Sequence, residues 1–118
     1  MRRVNQAVYK KLEALLPKRV KVYPGIAEET AKLPFVIYNM DSFITSYDKD
    51  SDTRRTSYTI EVWSDKFDEC DELSDIIDEG LRGNIGIGIY SLISNGSMGY
   101  NDKAGFFSRL NFDIDIDE

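Results

Sequence analysis

Apolar residues fall along this chain in two rhythms, and each predicts a kind of element. Val4, Ala7, Val8, Leu12 and Leu15 recur three and four apart. That spacing puts side chains on one side of an α-helix. Lys10, Lys11 and Glu13 fall off the stripe. The predicted helix runs from Arg3 to Leu16 and stops before Pro17, because a residue preceding proline is pushed out of the helical region. A second stripe comprises Phe67, Cys70, Leu73, Ser74, Ile77 and Leu81, flanked by Ile76. Ser64 or Asp65 can accept a hydrogen bond from a free amide at its start, and Asp68 and Glu69 suit the positive end of its dipole. Arg82 suits the negative end, and Gly83 closes the helix as a left-handed cap.

The other rhythm has period two. Tyr58, Ile60 and Val62 alternate with Ser57, Thr59 and Glu61, which predicts a strand with one buried face. Leu110, Phe112, Ile114 and Ile116 alternate with Arg109, Asn111, Asp113, Asp115 and Asp117 in the same way. Val20, Val22 and Tyr23 make a short strand ended by the turn dipeptide Pro24-Gly25. Residues 27–32 read as a loop or a single helical turn. Phe35, Val36, Ile37 and Tyr38 begin a strand that Met40, Phe43 and Ile44 continue. The polar stretch Ser46 to Thr53 then separates two strands of a long antiparallel hairpin. A strand from Phe35 to Thr45 spans about 36 Å at ~3.3 Å per residue. That is as wide as a domain of this length, so the hairpin tip is expected to project. Ile85, Ile87 and Ile89 alternate with Gly86, Gly88 and Tyr90 as one strand, extended by Leu92 and Ile93. Asn95 to Gly105 reads as a polar, glycine-rich loop.

The expected order is α-β-β-β-α-β-β in a single domain over residues 1–118. Hairpins make the sheet mainly antiparallel. Two amphipathic helices must bury their stripes against it, so both are expected on one face, as a two-layer α+β sandwich.

Composition narrows the function. The 118 residues hold no histidine and one cysteine, with a net charge of −6. There is no imidazole general base, no disulfide framework and no thiolate zinc site. The acidic balance argues against tight non-specific nucleic-acid binding. No apolar run approaches a membrane span, and the start is too polar for a secretory signal. A soluble protein of a reducing compartment is the expectation. The charge is uneven: +5 over residues 1–32, −2 over 33–64 and −9 over 65–118. Such a chain offers unlike surfaces, to be joined within one fold or between copies.

Candidate chemistry is sparse. Asp48, Asp50 and Asp52 alternate as in half of a calcium-binding loop. Thr53 and Thr59 stand where that loop needs its glycine and its bidentate glutamate, so a solvated hairpin tip is the stronger reading. Gly86 and Gly88 lack the third glycine of a dinucleotide loop. Cys70 lies on an apolar stripe with no base beside it, as a core thiol does. Trp63 faces away from Ile60 and Val62, as a partner anchor or packed at an edge under a helix. No carboxylate pair sits in an apolar context, so no enzyme is expected. The eight acids of the second helix, against Lys66 alone, exceed what solubility requires and invite a basic partner.

The residues resemble one family. Val22-Tyr23-Pro24-Gly25 is followed by Leu33-Pro34-Phe35-Val36-Ile37-Tyr38. Then Tyr58-Thr59-Ile60-Glu61-Val62-Trp63-Ser64 leads at once into the amphipathic helix ending Leu81-Arg82-Gly83. That order is similar to the tail terminator, or tail completion, proteins of long-tailed phages and prophages, over nearly the whole chain. The resemblance implies a structural ring, commonly of six subunits, that caps the tail tube and joins it to the head connector. It implies the major tail tube protein and the head connector protein as partners, DNA only passing through the lumen, and neither cofactor nor membrane. The location implied is the virion tail, with the bacterial host cytoplasm during assembly. The alternatives are another head–tail connector component and a small bacterial binding or regulatory module. Loops 46–53 and 95–105 match the family's loops by position alone. Candidate interface residues are Arg2, Arg3, Tyr47, Asp48, Lys49, Asp50, Arg54, Arg55 and Trp63, with Asp71, Asp75, Asp78, Asp113 and Asp115 as acidic counterparts. A ring of identical copies can join such unlike surfaces head to tail.

Overall fold

The computed structural model describes residues 2–43 and 53–117. The helix of the first stripe is α1 (Arg2–Leu15), followed by β1 (Lys21–Pro24), β2 (Phe35–Phe43) and β3 (Thr53–Ser64). The second helix is α2 (Phe67–Gly80). Three strands follow: β4 (Gly83–Gly86), β5 (Ile89–Asn101) and β6 (Gly105–Asp117). They form one six-stranded sheet in the order β1-β2-β3-β6-β5-β4. All pairs are antiparallel except β1 with β2, which is parallel. The long strands draw the molecule out to 48 × 24 × 23 Å.

The α+β architecture follows from which face each strand buries. Across β3 and β6, Tyr58 pairs with Phe112, Ile60 with Leu110 and Thr56 with Ile114. All six are buried. The helix stripes close over this face: Val4, Val8 and Leu12 from α1, and Cys70, Leu73 and Ile77 from α2, belong to the same apolar cluster. Both helices therefore lie on one side of the sheet. Two polar side chains caught inside this face, Tyr58 and Thr56, are partnered. The Tyr58 hydroxyl donates to Asn5 Oδ1, and Thr56 Oγ1 donates to the Ile114 carbonyl at 3.1 Å. Burial pushes the Tyr58 phenol above its ordinary value and raises the Cys70 thiol, which keeps that thiol protonated and inert.

The start of α2 is tied down by Ser64, whose Oγ accepts from the Lys66 amide at 3.1 Å and donates to Glu69 at 2.7 Å. Glu69 also accepts from Arg19 at 2.9 Å. The Ser64 hydroxyl and the Arg19 guanidinium hold the Glu69 carboxyl below its ordinary value near 4.5, against a smaller opposing effect of burial. A lowered folded value means stability that is fully present above the unfolded value and lost as pH falls through the folded one. Urea unfolding of Glu69→Gln is thus expected to differ from the parent by a constant amount above about pH 5. The gap should narrow as pH falls through the lowered folded value, and a gap that persists undiminished to about pH 2 would contradict this assignment.

The structure corrects the sequence reading at several points. Asn95 to Gly105 is not a loop: β5 continues through it to Asn101, past an irregularity between Ile93 and Asn95, and pairs with β6 as far as Asn101 with Gly105. Glycines hide the alternation there, because side chains of β6 take their space. A Cβ on Gly99 would sit 2.7 Å from the Phe107 ring, and one on Gly96 3.0 Å from Leu110. The strand expected from Ile85 to Ile93 is two strands, β4 and β5, split by a turn at Ile87-Gly88 that leaves Ile87 90% exposed. Gly86 does receive α1 closely, at Ala7. Phe67 is half exposed, not inward, and meets Phe106 edge to face at 5.8 Å. Thr53 belongs to β3. The projecting tip expected at 46–52 lies outside the described residues.

Candidate functional site: an unguarded strand edge and two charged helices

Three features of the surface bear on association. The first is the sheet face opposite the helices, where odd-numbered residues of β3 and β6 point outward in cross-strand rows. Trp63 lies against Phe107 at 4.9 Å between ring centres, and Arg109 sits 5.0 Å above the same ring. In the next row Arg109 pairs with Glu61 at 2.7 Å. Thr59 donates to Asn111 at 3.0 Å and Ser57 to Asp113 at 3.3 Å. Arg55 forks onto Asp115 at 2.7 and 3.0 Å. This face is largely satisfied within the chain, and exposed pairs of this kind contribute at most about 1 kcal/mol each.

The second feature is the set of sheet edges. Outer strand β1 carries Lys21 and Pro24, both exposed, and Lys and Pro are residues that blunt an edge. Outer strand β4 is only four residues long. Strand β5 is different. Its pairing with β4 ends at Ser91, so among the described residues its stretch 92–101 is bonded on the β6 side alone. The 13 residues of β5 include no charge and no proline. Large apolar side chains stand exposed along it: Tyr90 (45%) and Leu92 (54%) on the open face, Met98 (38%) and Tyr100 (59%) near the hairpin end. An edge this long without a charge or a proline is a template for another chain.

The third feature is the helix layer, which separates charge. On α1, Arg2, Arg3 and Lys10 are exposed, and Lys18, Arg19 and Lys21 follow it. On α2, Asp68, Asp71, Glu72, Asp75 and Glu79 are exposed, and none has an ion-pair partner among the described residues. Like charges three and four apart on a helix each cost about 0.2–0.5 kcal/mol, so this ridge is held at some expense in the isolated subunit.

The residues singled out from sequence are distributed among these features. Arg55 and Asp115, assigned to opposite sides of an interface, pair with each other. Asp113 is bonded to Ser57, and Asp78 is spent on Arg82 at 2.9 Å. Arg54 lies in β3 opposite Ile116. Trp63 is half-buried on the open face and packs on β6, under no helix. Arg3 donates to the Ile87 carbonyl at 2.7 Å, while Arg2, Asp71 and Asp75 are exposed. Tyr47, Asp48, Lys49 and Asp50 lie outside the described residues. The β5 edge escaped sequence reasoning; its signal was thirteen consecutive residues with no charge. Among the described residues no three His, Cys, Asp or Glu side chains converge as a metal site, and no helix is long and apolar enough to cross a membrane.

No family model matches the chain, and no curated protein matches it. A protein of the virion of the native gene transfer agent particle is similar in structure, with a TM-score of 0.69 at 16% sequence identity, over 96% of this chain and 93% of that one. The fold described above is therefore shared with a component of a virion particle.

Proposed function

We propose that this chain is a non-enzymatic structural subunit of a phage-like virion, and within it a tail completion protein. It forms a ring that caps the tail tube and meets the head connector, DNA passing through the lumen. It acts in the virion tail after assembly in the host cytoplasm. The observation that carries the reading is the unguarded β5 edge on a fold that a virion protein shares. A monomer living alone blunts such an edge, whereas an assembling subunit uses it. The motif order read from the sequence supports the finer assignment to tail completion. Strand addition along 92–101 offers main-chain hydrogen bonds to an adjoining virion protein, with Leu92 and Tyr100 available for side-chain contact.

The test is the mass of the purified chain across concentration, with negative-stain images of the product and a pull-down on major tail tube protein. Annular particles of defined mass, or a ring that closes on the tube, are expected. A strict monomer at about 1 mM that also ignores the tube protein would overturn the reading.

A further inference from the structure

A groove of about 400 Å³ runs between α1 and the β4–β5 turn. Its floor is small and apolar, with Ala7 and Ala14 from α1 and Ile85 from the β4 side, and its walls are Arg3, Lys10 and Lys11. On α1, residues 3, 7, 10 and 14 follow one another at steps of four, three and four. On α2, residues 68, 72, 75 and 79 follow the same steps and are all acidic. Both rows span twelve residues, a rise of about 16 Å at ~1.5 Å per residue step. The acidic row is the mid-line of the solvent side of α2, opposite the buried Cys70, Leu73 and Ile77. A row with small residues between long ones receives another row of matching step.

We infer that the α1 groove receives the acidic ridge of α2 from a second copy of the chain. Glu72 and Asp75 then meet Lys10, Lys11 and Arg3, and Ala7 and Ala14 allow the two helices to approach. Charge complementarity selects this occupant. Helix α1 carries four basic and one acidic side chain, +3, and α2 carries seven acidic and no basic ones, −7, so the unlike charges lie on different helices of each subunit. The contact is heterologous: each copy uses its groove toward one neighbour and its ridge toward the other, which is what closes a ring. The inference rests on the proposed ring function and names the contact within it.

Charge reversal tests it. Lys10→Glu/Lys11→Glu makes groove and ridge both acidic, and Glu72→Lys/Asp75→Lys sets two lysines at the centre of the ridge, facing the basic groove, with Asp68 and Glu79 still at its ends. Each variant should fold, because every changed side chain is at the surface, and circular dichroism checks this. Each alone is expected to associate at least tenfold more weakly than the parent, since like charges now face each other. An equimolar mixture of the two should assemble again, in alternation, and so should one chain carrying all four changes. Parent assembly should weaken as salt shortens the screening length from about 10 Å at 0.1 M toward 3 Å at 1 M. Parent rings with variants that assemble equally well would overturn this contact and leave the ring function standing. A parent that stays monomeric, and is not brought into rings by tube protein, overturns both. If the groove reversal abolishes binding of a short DNA duplex and leaves ring formation untouched, the groove serves a nucleic acid and the inference fails.

Discussion

Phe112→Ala should lose about 3–5 kcal/mol of stability, among the largest costs expected of a single truncation in this chain. Phe112 is 1% exposed and sits directly across from Tyr58, itself wholly buried, at the centre of the β3–β6 pair. Its ring lies in the cluster that joins α1 and α2 to the sheet. Removing it opens a cavity that no neighbour can fill, because Tyr58 is held by its hydroxyl on Asn5. The Tyr58–Phe112 pair further implies coupling: Tyr58→Phe in the Phe112→Ala background should not cost what it costs alone, since neighbours in contact are not additive. Leu92→Ala supplies the contrast. Leu92 is 54% exposed on β5, and its truncation should move stability by no more than about 0.5 kcal/mol. Urea midpoints at fixed slope measure all three. A Phe112→Ala variant as stable as Leu92→Ala would mean that the core is not where it is placed here.

The contrast between those two positions also shows what sequence could and could not convey. Strand β6 was legible because Leu110, Phe112, Ile114 and Ile116 bury one face and Asn111, Asp113 and Asp115 leave the other polar. Both helices were legible for the same reason, since α1 shows the core Val4, Val8 and Leu12 at helical spacing. Strand β5 has no such contrast. Tyr90 and Leu92 are exposed on one side, and beyond the irregularity at Ile93/Asn95 the register shifts, so no single period runs through it. Glycine at 96 and 99 removes the remaining signal, because the side chains that fill those sites belong to β6. Sequence likewise showed that charge was divided, but only register could show that Arg55 and Asp115 neutralise each other. The unspent charge lies on the helices, at Lys10 and Lys11 and along the ridge from Asp68 to Glu79. Apolar periodicity does not single out the first two, because Lys10 and Lys11 lie off the apolar stripe of α1.

Gly105→Ala is expected to cost about 3 kcal/mol or more, although it adds one methyl group. Two effects combine. Gly105 has φ +96°, where an L side chain is strained by about 1–2 kcal/mol. An added Cβ would also stand 2.6 Å from the Ser64 carbonyl oxygen, a backbone atom. That oxygen cannot retreat easily, because Ser64 is paired with Phe106 and its side chain fixes the first turn of α2. Gly25→Ala isolates the first effect: Gly25 has φ +74° and open space where its Cβ would go. It should cost only about 1 kcal/mol. Equal costs at the two sites would show that the chain relaxes at Gly105. The consequence should reach beyond stability. Gly105 begins β6 at its pairing with Asn101, so the strain falls on the hairpin end that presents Tyr100 and Phe106. Faster amide exchange across residues 99–107, with the centre of the β3–β6 pair still protected, is the expected signature. A virion edge that depends on this hairpin should then bind its partner more weakly even at temperatures where the subunit remains folded, since part of the binding energy would go to re-ordering the strand.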